Sequence, residues 1–313
     1  MKVLGIGESV IDEISVVGAR GEVERTGRDA GGPVLVAMLM LAKLGADCTF
    51  VTALGKDDGG VYIREILERE QVVLHARLHD ASKINIIVVD SESGQREKIH
   101  SNITYTAIAD LEPAFLNSYD LIVMDRHEPE AFEEVRRHVG PRTKLITDPS
   151  TELSEFTLEL MRASDCPIVP IETLAQLEDV ATVEEAAARL QDLCAKPVVV
   201  TLGEHGCLVH DGWEMRLIPA LDVVAVNTLG AGDVYRAAFG YGRMQGWGIE
   251  ECARYGNAAA ALQCTVLGNA ADVPAKHEVD GLMRRAVYRA ANRDGLETAF
   301  AQLRREYMPL VMK

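Results

Sequence analysis

Short apolar runs recur along the chain at 2–7, 48–54, 121–124, 144–147, 168–170 and 197–202. Between them lie stretches with apolar residues at helical spacing, at 34–44, 60–69, 129–139, 153–161 and 183–194. Buried strands alternating with amphipathic helices predict an α/β fold built on a doubly wound, mostly parallel sheet flanked by helices. A last apolar run at 223–226 is followed by helical spacing near 230–245, 250–264, 277–292 and 295–306, so the sheet is expected to be complete by then.

Two segments break the rhythm. Residues 13–28 contain strand-like Ile14-Ser-Val-Val17, a Gly-Ala-Arg-Gly turn and then Glu22-Val-Glu-Arg25. Residues 72–104 contain the run 84–89, a Ser-Glu-Ser-Gly turn and a second run at 95–100, the pattern of a hairpin. Both are expected to be β-ribbons inserted in a single domain spanning 1–313. Together they would form a small sheet serving as a lid.

Composition narrows the function classes. The 313 residues are 48% hydrophobic and 26% charged, an ordinary globular balance, and the formal net charge of -16 argues against nucleic acid or an anionic membrane as main partner. Aromatics at 5% are too sparse for a base-stacking platform. Six scattered cysteines without a Cys-x-x-Cys pair suggest buried thiols, not a zinc or redox site. Glu8, Asp12 and Glu13 interrupt the apolar N-terminus, so a first strand explains it better than a signal peptide. With no uncharged apolar run near ~18 residues, a soluble, cytoplasmic protein is expected.

The most informative stretch is Val223-Val-Ala-Val-Asn-Thr-Leu-Gly-Ala-Gly-Asp233, followed by a helical pattern. A tight Gly-Ala-Gly turn opening a helix directs the N–H groups of Gly230, Ala231 and Gly232 into one concavity at the helix's positive end. That forms an anion hole suited to charge on a phosphoryl group in transfer. Asp233, in the first helical turn, is placed to accept a proton from an attacking hydroxyl. The plainer alternative is a helix cap beside a tight turn.

Asn227-Thr-Leu-Gly-Ala-Gly-Asp233 resembles the second signature of the ribokinase-like (PfkB) carbohydrate kinases, and Ala30-Gly-Gly-Pro through Gly45 resembles the first. Gly7, Asp12, the stretch 199–206 and Asn257-Ala-Ala-Ala-Ala261 also match, in the family's order. The resemblance implies an ATP-dependent kinase that phosphorylates a hydroxyl of a small polyhydroxylated substrate. It implies Asp233 as general base, with Asp12, Gly31 and Gly32 on the substrate. A family ligand position falls near His127, where Arg126 and His127 would suit an acidic or phosphorylated substrate; solvated surface side chains are the plainer alternative. Thr201, Gly203, Gly206 and Asn257 would line the ATP site, Mg2+ would serve the phosphates, and the β lid would pair two copies in a homodimer.

Several positions depart from the family pattern. Val36 stands where a sugar-binding Asn is usual, and Asn227 replaces an Asp, which leaves the monovalent-cation site in question. Leu229 replaces a small polar residue. Ile171 and Leu174 replace the polar ends of the Asn-x-x-Glu element that organises magnesium, leaving Glu172 as a candidate contact to the ion through water. A nucleoside kinase on the same fold, or a catalytically impaired ligand-binding protein, are the alternatives. No P-loop, complete dinucleotide fingerprint, zinc-hydrolase motif or nucleophile elbow is present.

Overall fold

The computed structural model describes residues 1–91, 96–100 and 103–311. The strands are β1 (Lys2–Ile6), β2 (Val10–Val17), β3 (Val23–Gly31), β4 (Asp47–Gly55), β5 (Val73–His79), β6 (Ile84–Asp90), β7 (Arg96–His100), β8 (Leu121–Asp125), β9 (Lys144–Asp148), β10 (Ile168–Pro170), β11 (Val198–Thr201), β12 (Cys207–His210) and β13 (Met215–Ile218). The helices are α1 (Pro33–Lys43), α2 (Asp58–Arg69), α3 (Pro113–Leu116), α4 (Pro129–His138), α5 (Glu155–Ala163), α6 (Ile171–Leu174), α7 (Val183–Cys194), α8 (Ala231–Met244), α9 (Ile249–Gln263), α10 (Lys276–Arg284) and α11 (Arg293–Val311).

A parallel sheet runs in the order β5-β4-β1-β8-β9. Its central strands are apolar on both faces because helices cover both; four of the five residues of β1 and all of β8 are buried. A second, four-stranded sheet, β10-β11-β12-β13, pairs β10 and β11 in parallel and adds an antiparallel hairpin. Among the described residues the main body thus has two hydrogen-bonded sheets rather than one continuous one. Helix α1 is apolar around its whole circumference, with Val34 through Leu41 buried, as suits a helix surrounded by protein. Among the described residues no helix is long and apolar enough to cross a membrane. Five of the six cysteines are buried and Cys264 is half-buried.

The two inserted ribbons meet in a separate four-stranded sheet, β3-β2-β6-β7, in which β2 pairs antiparallel with β3 and parallel with β6. The segment 72–104 is divided between layers: β5 continues the main sheet beside β4, and only β6 and β7 enter the lid. The Ser-Glu-Ser-Gly turn falls mostly outside the described residues.

Three expectations from the apolar pattern fail. Residues 223–226 form no strand; Val224 is 85% exposed, and the backbone is held instead by Val226 N–H donating to the Cys264 carbonyl. The helix expected at 277–292 stops at Arg284. The segment beyond it returns to the main body, with Leu221 and Tyr288 in an isolated bridge. The C-terminal helix, α11, runs further than its spacing suggested and inserts Leu296 and Phe300 into the core around α7 and β11.

Candidate active site

In the main sheet the chain order reverses at β1, which has β4 on one side and β8 on the other. Side chains beyond the C-terminal ends of strands around such a switch point converge on a crevice. There, Glu8 N–H donates to Asp125 Oδ2 at 2.9 Å and His127 N–H to Asp125 Oδ1 at 2.9 Å. Burial, with Glu8 nearby, pushes Asp125 up to about 7. Glu8 in turn accepts from Lys83 Nζ at 2.7 Å, an ion pair between the sheet and the root of the lid.

Asp12 lies on β2, where it enters the lid, and is 2% exposed. Asn85 of β6 donates to its Oδ1 at 2.9 Å, and Asn269 donates to its Oδ2 at 3.0 Å. A Cβ at Gly31 would collide with the Asp12 carboxylate, and one at Gly32, whose φ is 114°, with the Glu8 carbonyl. Glycine therefore lets the N-terminus of α1 approach Asp12 closely. Pro33 starts α1 at a position where no N–H is needed. Asp12, Gly31 and Gly32 thus form one cluster.

Asn269 connects that cluster to α8. Its buried Oδ1 lies directly over Gly230, leaving no room there for a side chain. Gly230 adopts the left-handed conformation, φ 74°, as the N-cap of α8. Ala231 and Gly232 follow at the helix's positive end, and Asp233 sits in its first turn. Arg236, one turn on and 8% exposed, bonds Asp233 Oδ1 through Nη1 at 3.1 Å and Asp148 Oδ1 through Nη2 at 2.8 Å.

On the other side of the turn lies a cavity of about 430 Å³ lined by Thr201, Gly203, Gly206, Asn257, Ala231 and Gly232, among others. All four residues expected at a nucleotide therefore border one space, which reaches the Gly-Ala-Gly turn. Asn257 is buried, and its amide donates to the carbonyls of Ile218 and Pro219 at 3.3 Å each, anchoring α9 to the end of β13. Gly206 has φ 95°, and a Cβ there would strike the Ile218 carbonyl.

Ile171 and Glu172 line the same cavity, whereas Leu174 is fully buried in the core. Among the described residues no group of three or more His, Cys, Asp or Glu side chains converges to hold a metal ion. A protein cage for magnesium therefore does not fit these residues. An ion that arrives on a ligand's own phosphates asks less of the protein, and Glu172 is a carboxylate lining this cavity.

Arg126 and His127 follow β8, but both already have partners within the protein. Arg126 is paired with Glu152. His127 Nε2 lies 3.7 Å from Glu8 Oε2, and burial lowers the imidazole's pKa. Beside them Glu128 accepts the Ile108 N–H at 3.0 Å, and burial pushes its carboxyl up to about 7. A raised folded pKa means that the folded state prefers the protonated acid. The resulting stability is complete below the ordinary value of 4.5 and is lost as pH rises through about 7. Glu128→Gln keeps the acceptor without the charge. It is expected to raise Tm by a few degrees at pH 8 and hardly at all at pH 5, as read by calorimetry.

Asn85, Asp148, Arg236 and Asn269 are the site neighbours that the sequence did not disclose. None belongs to a motif, and Asn269 reaches Asp12 across 257 residues of chain.

A sheet switch point, a glycine turn opening a helix with an acid in its first turn, and a nucleotide-sized cavity together describe a small-molecule kinase. The chain belongs to the pfkB family of carbohydrate kinases, whose model matches residues 2–276. It is 23% identical over 265 residues to a ribokinase of Haemophilus influenzae, covering 79% of this chain and 85% of that one. It is 28% identical over 274 residues to an aminoimidazole riboside kinase of Salmonella typhimurium, covering 78% of this chain and 84% of the relative. The fold matches Arabidopsis thaliana ribokinase complexed with ribose and ATP, with TM-score 0.75, 22% identity and coverage of 90% of this chain and 98% of that one.

Proposed function

We propose that the chain transfers the γ-phosphate of ATP to a hydroxyl of a sugar or sugar-like molecule, with Asp233 as general base. The carrying observation is that one turn, Gly230–Gly232, joins two spaces. Ala231 and Gly232 border the cavity of the expected nucleotide residues, and Gly230 touches the amide that holds Asp12. An acceptor hydroxyl near Asp12, Gly31 and Gly32 would lose its proton to the Asp233 carboxylate as its oxygen attacks the γ-phosphorus. The bond from that phosphorus to the bridging oxygen breaks and ADP leaves. The N–H groups of the turn would receive the charge on the phosphoryl oxygens.

Magnesium, carried in by ATP, would neutralise phosphate charge, with Glu172 reaching it through water. Arg126 and His127 are better suited to shaping the rim than to holding an acidic substrate, because their partners are Glu152 and Glu8. A coupled ADP-release screen of sugars, sugar acids and nucleosides tests the proposal. Release stimulated by a polyol or nucleoside supports it, and a panel-wide failure counts against it.

Asn227 bears on the monovalent cation. Its Nδ2 donates to the Leu267 carbonyl at 2.8 Å, and its Oδ1 accepts from Leu229 N–H at 3.0 Å. The amide bridges the two loops by itself, where a carboxylate would face the Leu267 carbonyl and need a cation between them. Activity is expected to change less than about two-fold when potassium is exchanged for sodium or a bulky organic cation. Strong potassium activation would contradict this.

We also propose a homodimer through the lid. Ile86 and Ile99 face each other across β6 and β7, yet are 44% and 59% exposed, an unpaired apolar spot on a thin sheet. A second copy is the simplest cover. Light scattering at micromolar concentration should report a dimer that Ile86→Lys dissociates; a monomeric wild type would sink the idea.

A further inference from the structure

We propose that Arg236 is a positioning residue for Asp233, a three-point clamp that fixes the carboxylate at the mouth of the Gly230–Gly232 turn. The proposal rests on the reading of Asp233 as the base. All three guanidinium nitrogens are engaged: Nε donates to the Ile168 carbonyl at 3.4 Å, Nη1 to Asp233 and Nη2 to Asp148. The side chain is therefore anchored to the ends of two strands, β9 and β10, while it holds the first turn of its own helix. A guanidinium held on three sides is a fixed part of the wall rather than a mobile finger for phosphate. Arginine's planar fork suits this geometry, and a lysine's single ammonium cannot span the same three acceptors.

The clamp has an electrostatic consequence. A cation beside a carboxylate favours its ionised form, the form a general base needs. Asp148, from the end of β9, competes for the same cation. Behind Asp148 lie Asp125 on β8 and Glu8 after β1, both acidic. Helix α1, packed along α8, brings apolar side chains such as Val36. One cation thus serves two carboxylates, and removing either Arg236 or Asp148 should move Asp233 in opposite directions.

The test is a pH titration of protein carrying 13C at aspartate side-chain carboxyls, with the Asp233 signal assigned from its loss in Asp233→Asn. Arg236→Met should raise the midpoint by about one unit or more. Asp148→Asn, which keeps an oxygen to accept the Ser150 N–H, should lower it further or keep Asp233 ionised to the limit of folding. Arg236→Lys should hold the midpoint near that of the wild type but lose several-fold in kcat with little change in KM for ATP. Should Arg236→Met not fold, the directions seen in Asp148→Asn and Arg236→Lys decide. A midpoint unmoved in Arg236→Met, or one that rises in Asp148→Asn, overturns the clamp. Failure of the base assignment would look different: Asp233→Asn would keep its turnover while the midpoints still shifted.

Discussion

Asp233→Asn is expected to leave folding and nucleotide affinity near those of the wild type and to cut acceptor phosphorylation by roughly 10²–10⁴-fold, the usual worth of a general base. The amide keeps the shape of the side chain and can still accept from Arg236, but it cannot take a proton from a hydroxyl. Arg236 keeps its bonds to Asp148 and to the Ile168 carbonyl, so the helix start should stay in place. Steady-state kinetics with calorimetric ATP binding separate the two effects. Turnover within a few-fold of wild type would reduce Asp233 to a partner of Arg236 at the start of the helix.

Leu174→Glu should have the largest effect on the fold. The side chain is fully buried beside α7 and β11, in a cluster with Leu190, Val200 and Phe300. A carboxylate there has no solvent and loses the packing of a leucine. The combined cost is expected to be on the order of 4 kcal/mol or more, a large share of the stability of a typical domain. Ile171, three residues earlier, borders the cavity while packing against the edge of this cluster, so Ile171→Asn should cost much less than Leu174→Glu. Placed at the phosphate side, its amide should lower the magnesium concentration that gives half-maximal rate. Denaturant melts and magnesium titrations of the two single variants check the contrast. A stable Leu174→Glu that also lowers the magnesium requirement would mean that Leu174 faces the phosphates.

The same four residues show where sequence reading ends. That 171–174 replaces a polar element was legible, but which of its side chains turns inward depends on the one-turn helix α6, too short to carry a periodic signal. The run Val223-Val-Ala-Val226 reads as a buried strand, since apolar composition does not distinguish a strand from a segment crossing the rim of a cavity. By contrast, Gly230-Ala-Gly-Asp233 was legible because its geometry is local: a left-handed residue, a close approach and an acid in the first turn. The ribbons of the lid were visible from their alternation and turns, although β5 went to the other sheet because a strand's partner is a tertiary choice. The network of Asn85, Asn269, Asp148 and Arg236 was invisible, because each is an ordinary polar residue until the fold brings it to Asp12 or Asp233.

The most direct test of a kinase built on the Gly230–Gly232 turn is to follow the γ-phosphate itself by 31P NMR. Wild-type protein, ATP, magnesium and the acceptor panel should yield a new phosphomonoester signal in step with the loss of the γ-phosphate. Asp233→Asn at equal nucleotide occupancy should give almost none. If ATP binds tightly but no acceptor gains phosphate at any magnesium concentration, the chain binds ligands on a kinase fold and does not turn them over.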